Sequence, residues 1–162
     1  MGLDIDHIKI FVVDVDGTLT NGVYTVDETG IVAKSFHTRD FYALNRMSQL
    51  GFRIIIMTSA TDSVIEEKCR PFDFLIYTGV NNKADEMNRL LKSMNMRWEN
   101  VAYIGDAEND LECMSRAAFT ACPLDAIPEI VKNSNYQSVN GGGEGAVYDT
   151  MRKFCEYAVI EW

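Results

Sequence analysis

Two carboxylates one residue apart, in Asp14-Val15-Asp16-Gly17-Thr18-Leu19-Thr20, follow directly on the apolar run Ile8-Lys9-Ile10-Phe11-Val12-Val13. Strand side chains alternate, so Asp14 and Asp16 point to the same side just past the strand. Paired acids in that place suit a divalent cation and a reacting oxyanion. Asp-Gly alone reads as a turn, but two unpaired acids beside a buried strand repel each other, and a turn does not explain that cost. A second acidic pair lies in Gly105-Asp106-Ala107-Glu108-Asn109-Asp110, after the run Val101–Ile104. Four residues apart, Asp106 and Asp110 reach one side of a helix start. They read either as an N-cap with acids favoured by the helix dipole or as the second half of a magnesium site.

Two further stretches carry anion-binding chemistry. Met57-Thr58-Ser59-Ala60-Thr61 ends an apolar run and leads toward a helix, where hydroxyls and backbone N–H groups make an anion site; singly, Thr58 or Ser59 would serve as an N-cap. Lys83 follows Asn81-Asn82 and opens a helix. A lysine in the first turn opposes the helix dipole, so helix formation does not account for it, whereas a nearby phosphate would. Alone, a surface lysine is simply solvated.

The elements that position these groups follow from the apolar pattern. Strands are expected at Ile8–Val13, Phe52–Met57, Asp73–Tyr77, Val101–Ile104 and Ala118–Ala121, with helices near Asp40–Leu50, Asp62–Arg70, Lys83–Asn95, Asn109–Arg116, Ala126–Asn133 and Glu144–Tyr157. Strands alternating with helices of this length predict an α/β fold, a doubly wound parallel sheet covered on both faces. Val23–Val26 and Ile31–Phe36 flank Asp27-Glu28-Thr29-Gly30 and predict a β-hairpin inserted after the first strand. It should overhang the carboxyl edge of the sheet, where ligands bind. The 162 residues make one domain, with 47% hydrophobic residues excluding disorder. A net charge of −9 argues against nucleic acid and anionic lipid. No apolar run approaches the roughly 18 residues of a membrane helix, and Met1–Lys9 has no signal-peptide pattern. Cys69, Cys113, Cys122 and Cys155 lack metal-ligand spacing and fit buried thiols in the cytoplasm.

Taken in order, Asp14-x-Asp16-Gly17-Thr18-Leu19-Thr20, a strand leading to Thr58, then Lys83, then Gly105-Asp106-x-x-x-Asp110 resemble the four signature motifs of haloacid-dehalogenase-like phosphohydrolases. The resemblance covers nearly the whole chain. Leu19-Thr20-Asn21-Gly22, Phe36 followed by Arg39-Asp40, Val101–Asp106 and Gly141-Gly142-Gly143-Glu144-Gly145-Ala146-Val147 narrow it to cap-less sugar-acid phosphatases of the octulosonate 8-phosphate and nonulosonate 9-phosphate type. The resemblance implies that Asp14 is a nucleophile forming an aspartyl-phosphate and Asp16 a general acid, then base. It also implies Mg²⁺ on Asp14, the backbone carbonyl of Asp16 and Asp106, with Asp110 in support. Thr58, Ser59 and Lys83 would hold the phosphoryl group, and Arg39 and Asp40 fall where substrate contact is expected. The subgroup's Thr-Gly-Arg or Thr-Gly-Glu is here Thr58-Ser59-Ala60, its Arg-Asp-Gly is Arg39-Asp40-Phe41, and its arginine after Gly-Ala-Val is Tyr148. These departures bear on the sugar rather than on the phosphate.

Residue counts leave no room for a cap domain. About 40 residues separate Asp16 from Thr58, and about two dozen separate Thr58 from Lys83, each filled by predicted elements. Cover for the site must come from the hairpin or from the tail 141–162. A lone hairpin is marginal in water, and pairing between subunits would bury Val23, Val26, Ile31 and Phe36. A homotetramer, as in the resembling subgroup, is therefore expected, with a phosphorylated sugar acid as small-molecule partner. The glycine run reads equally as a flexible linker or as a segment reaching the site mouth. Two rival readings are a catalytically weak domain serving assembly or regulation of sugar-acid activation, and a phospho-receiver. The second would lack a counterpart of Asp16 and the Gly-Asp-x-x-x-Asp element.

Overall fold

The computed structural model describes residues 5–162 (Val32 in its backbone alone); the reading of Met1–Lys9 falls partly outside them. In chain order the elements are β1 (Ile10–Val13), β2 (Tyr24–Asp27), β3 (Gly30–Lys34), α1 (Thr38–Gln49), β4 (Arg53–Met57), α2 (Val64–Cys69), β5 (Leu75–Tyr77), α3 (Lys83–Ser93), β6 (Val101–Ile104), α4 (Leu111–Met114), β7 (Phe119–Cys122), α5 (Pro128–Lys132), β8 (Tyr136–Gln137) and α6 (Ala146–Ala158). Six strands form one sheet in the order β5-β4-β1-β6-β7-β8, every pair parallel. The doubly wound α/β expectation holds. The added sixth strand, β8, is only two residues long and its side chains are half-buried, too short to show a periodic apolar signal.

Both faces of the sheet are covered, and the strand alternation divides them. Phe11, Val13, Ile54, Ile56, Ala102, Ile104 and Phe119 face α1 and α6, while Ile10, Val12, Ile55, Met57, Val101 and Tyr103 face α3. Phe154 of α6 sits edge-on to Phe11 and Phe119, with ring centroids 4.8 and 5.5 Å apart. Each such buried aromatic contributes area plus about 0.5–1.5 kcal/mol per pair. Strand β1 lies in the middle, and its neighbours β4 and β6 follow it at different points of the chain. The connections therefore leave β1 in opposite directions, and the carboxyl ends of these three strands open a crevice.

The hairpin is present but tighter than expected. Asp27 pairs with Gly30 across a two-residue turn, Glu28-Thr29, with Gly30 at φ +119°. Asp27 Oδ1 accepts hydrogen bonds from the Thr29 N–H (2.7 Å) and the Thr29 hydroxyl (2.6 Å), which closes the turn. Residues 15–57 otherwise hold only an irregular turn, α1 and β4, and residues 58–82 only α2 and β5 with loops. No further domain is inserted in either stretch.

Candidate active site

Strand β1 ends at Val13, and the Asp14 N–H continues the ladder onto the Ile104 carbonyl at 3.0 Å. Asp14 is thereby fixed at the carboxyl edge, 5% exposed. Lys83 comes from the first residue of α3 and is 2% exposed. The alternative of a solvated surface lysine does not hold: the side chain is buried because its ammonium has two carboxylates to meet, Asp14 Oδ1 at 2.6 Å and Asp110 Oδ1 at 2.7 Å. Asp110 is saturated. Its Oδ1 also accepts from the Tyr103 hydroxyl (2.7 Å), and its Oδ2 accepts from the N–H groups of Asp106 (3.1 Å) and Ala107 (3.3 Å). Asp110 thus folds the loop after β6 back on itself and presents Asp106, whose Oδ1 accepts from the Thr18 hydroxyl at 2.9 Å. A helix N-cap at Asp106 is not what forms, since a short turn at Glu108–Asp110 precedes α4.

One oxygen each from Asp14, Asp106 and Asp110 lies within 4.8 Å of the others. With Lys83 as the one ammonium among these three carboxylates, the cluster carries formal charge −2. Burial, and then the neighbouring Asp110, pushes the Asp14 carboxyl well above its ordinary range against the opposing pull of Lys83. Burial likewise raises Asp106. A hard divalent cation would relieve both shifts, and these oxygen donors suit Mg²⁺.

The turn between Asp14 and Thr20 is tight enough to require glycine within it and in the segment that packs against it. Gly17 has φ +91°, and a Cβ there would lie 2.1 Å from Asp106 Oδ2. From the other side, Gly142 presses on the same turn, a Cβ on it falling 1.9 Å from the Gly17 carbonyl oxygen. The Gly143 N–H donates to the Thr18 carbonyl at 3.1 Å. The glycine run is therefore a strap against the turn that carries Asp16. It is not a linker.

Toward solvent the crevice widens into a cavity of about 770 Å³ between hairpin and the loop after β4, lined by Asp16, Tyr24, Ile31, Ser59, Thr61 and Asp62 among others. Thr58 is buried, and its hydroxyl oxygen accepts from the Ala60 N–H at 3.1 Å. It orders this loop but does not cap α2, which begins six residues later at Val64. Ser59 is exposed on the cavity wall. Lys34 of β3 reaches in from the hairpin, its side chain 1% exposed, and donates to Asp16 Oδ2 (2.9 Å) and Asp62 Oδ2 (2.8 Å). Burial alone would lower the Lys34 pKa, but hydrogen bonds to Asp62 and Asp16 outweigh it and raise it.

Residues 69–150 match the family of haloacid dehalogenase-like hydrolases. The chain belongs to this family. It is 28% identical over 156 residues to the 3-deoxy-D-manno-octulosonate 8-phosphate phosphatase KdsC of Salmonella typhi, covering 96% of this chain and 81% of that protein. The solved phosphatase of the same name from Moraxella catarrhalis, a complex with magnesium ion, phosphate ion and KDO, superposes with a TM-score of 0.89 at 26% identity, covering 94% and 88% of the two chains. Its Yersinia pestis counterpart gives 0.86 at 25% identity, covering 93% and 82%.

Against this family frame, the structure brings together Asp14, Asp106, Asp110 and Lys83, with Asp16 and Ser59 at the mouth and Thr58 behind it. Two of the expected site residues lie elsewhere. Asp40 is fully buried between α1 and α6, where Oδ1 accepts from the Tyr148 N–H at 2.8 Å. It closes the amino end of α6, and burial raises its pKa to about 6. Such a carboxylate holds helices together and does not face the cavity. Arg39 is exposed on the first turn of α1, outside the cavity lining. Sequence reading missed Lys34, Asp62 and Tyr103. Tyr103 sat in an apolar run with nothing to mark its hydroxyl, and Lys34 and Asp62, 28 residues apart, are joined only by the hairpin's fold.

Proposed function

We propose that this chain is a Mg²⁺-dependent phosphomonoester hydrolase acting on a phosphorylated sugar acid of the octulosonate 8-phosphate type, with nonulosonate 9-phosphate as the alternative substrate of the same class. The observation that carries this reading is the buried Lys83 between Asp14 and Asp110, with Asp106 alongside, at the carboxyl ends of the central strands. Asp14, Asp106 and the Asp16 backbone carbonyl would hold the magnesium, with Asp110 supporting. Bound there, Mg²⁺ offsets the negative charge that a phosphate brings into an acidic pocket. Asp14 attacks phosphorus and forms the aspartyl-phosphate as the P–O bond to the sugar breaks. Asp16, on the cavity side, gives its proton to the departing alkoxide. It then takes a proton from the water that cleaves the aspartyl-phosphate. Lys83, Thr58 and Ser59 hold the phosphoryl oxygens, where positioning and electrostatics carry most of the catalysis.

Among the described residues none that lines the cavity is basic, so a sugar carboxylate there would meet no free cation from the lining. Val23 and Val26 are 68% and 59% exposed on the hairpin. We therefore read the protein as a cytoplasmic single-domain homotetramer that binds neither nucleic acid nor membrane, its hairpins packed between subunits and Arg39 supplying the missing cation to a neighbour. Phosphate release from octulosonate 8-phosphate, nonulosonate 9-phosphate and a neutral hexose phosphate, each with and without Mg²⁺, tests the substrate reading. A preference for the neutral sugar would overturn it. Light scattering should give roughly four times the 18.3 kDa chain mass, and a fully active monomer would contradict the assembly.

A further inference from the structure

Lys34 ties the hairpin to Asp16 and Asp62 at the cavity, and ordinary packing does not call for it. Its ammonium is buried between two carboxylates, one on the turn after β1 and one just ahead of α2. Burying such an ion group gains little stability over an apolar replacement, and the hairpin could rest on this surface through Phe36, which already meets Phe41 edge-on at 5.5 Å. A buried lysine here calls for a use.

The geometry of Asp16 supplies one. Its side chain is 31% exposed, the residue after it is Gly17 at φ +91°, and apart from Lys34 its side-chain hydrogen-bond partner is Thr20 Oγ1, at a long 3.4 Å. Left to itself, this carboxyl would swing between rotamers at the cavity wall. An acid that hands a proton to a leaving oxygen must sit within hydrogen-bond reach of it, and small misplacements are costly. Lys34 grips Oδ2 at 2.9 Å and is itself gripped by Asp62 Oδ2 at 2.8 Å. Asp62 is fixed in turn, because its Oδ1 accepts from the Val64 N–H at 3.2 Å. The start of α2, Asp62, Lys34 and Asp16 form one continuous strut.

We infer that Lys34, anchored by Asp62, is a positioning residue for Asp16: the hairpin reaches over the site to aim the proton-transferring carboxyl at the leaving-group oxygen. This rests on the phosphatase reading above and assigns the hairpin a task within a single chain, whatever packs on its outer face.

The test compares leaving groups in single-turnover cleavage with Mg²⁺ present. An alkyl phosphate, such as a sugar phosphate, needs a proton on the departing oxygen, whereas p-nitrophenolate leaves without one. Lys34→Met should slow alkyl phosphate cleavage about 10-fold or more, on the low side of what general acid catalysis supplies, and slow p-nitrophenyl phosphate cleavage only a few-fold. KM should stay nearly constant, and Lys34→Arg should recover much of the loss. Asp62→Asn, which leaves ammonium and Asp16 in place, should show the same selectivity at smaller size, and it carries the test if Lys34→Met does not fold. In an Asp16→Asn background, Lys34→Met should add no further loss on the alkyl substrate. Equal slowing of both substrates, or a loss that adds to that of Asp16→Asn, would overturn the role of Lys34. A wild-type protein that cleaves neither substrate would overturn the phosphatase reading itself, and this inference with it.

Discussion

Two buried lysines flank the turn between Asp14 and Thr20, each bonded to two carboxylates, and they are built very differently. Lys83 stands on α3 and meets Asp14 and Asp110, both 6% exposed or less, on the ends of central strands and the loop they support. Lys34 stands on a two-stranded hairpin and meets Asp16 and Asp62, the former 31% exposed at a solvent-open cavity. The inner cluster is held by the sheet and has Asp106 beside it, so its surplus of negative charge calls for a metal. The outer cluster is held by an insertion and lines the solvent-open cavity, on the side the proposed mechanism gives to the leaving group. On the proposed mechanism, the central sheet holds the bond-making half of the chemistry and the inserted hairpin the leaving-group half.

Substitutions that break the inner cluster should do the most damage. Asp14→Asn keeps the volume and removes the nucleophile, so kcat should fall at least ~10³-fold while the fold persists; phosphate release under saturating substrate measures it. Lys83→Ala strands two carboxylates in the interior, at a cost of about 3–5 kcal/mol when a buried pair loses one partner. It should lower both kcat/KM and the urea midpoint, with Mg²⁺ restoring part of the stability by occupying the acidic cluster. A drop in stability with unchanged activity per folded molecule would show that Lys83 only holds the fold.

The strap comes next. Gly142→Ala sets a methyl 1.9 Å from the Gly17 carbonyl oxygen, and backbone on both sides must yield. Overpacking of this kind costs roughly 1–3 kcal/mol, and activity should fall more steeply than stability because the displaced turn carries Asp16. Thermal unfolding and kcat measured on one preparation separate the two.

The smallest effect on activity sharpens the contrast by lying outside both clusters. Asp40 has a folded pKa of about 6 against an ordinary value of 3.8. The folded state therefore holds a proton that the unfolded chain has already released between those values, so stability falls as pH rises through them. The contribution is fully present below pH 3.8 and lost above about 6, at most about 3 kcal/mol. Asp40→Asn should flatten that part of the stability curve measured by urea unfolding, leaving kcat nearly unchanged. An unaltered slope would contradict the assignment.

The sheet and most of the inner cluster were legible because the candidate groups Asp14, Thr58 and Asp106 sit just past apolar runs, and strand ends in a parallel sheet converge on one edge. Asp14, Thr58 and Asp106 could be placed by that rule, and Lys83 by its unfavourable position in the first turn of a helix. Asp40 could not, since an acid in the first turn of a helix reads the same whether it faces solvent or a neighbouring helix, and only α6 packing on α1 decides. The outer cluster was invisible for a related reason: Lys34 and Asp62 read as ordinary surface charges until the hairpin folds back over the loop after β4. Tyr103 shows the opposite limit, where a buried hydroxyl hides inside an apolar strand. The glycine run showed only that the chain needed room, and the room proves to be for the Gly17 and Thr20 carbonyls.

The central claim is that Asp14 carries the phosphoryl group in a Mg²⁺-dependent reaction. Acid-quenching the enzyme during turnover of octulosonate 8-phosphate and locating the modification by peptide mass spectrometry tests it directly. The account predicts one phosphoryl group on the peptide containing Asp14, present with Mg²⁺, absent after chelation and absent in Asp14→Asn. Undiminished phosphate release by Asp14→Asn, or a phosphoryl group trapped on another residue, would contradict it.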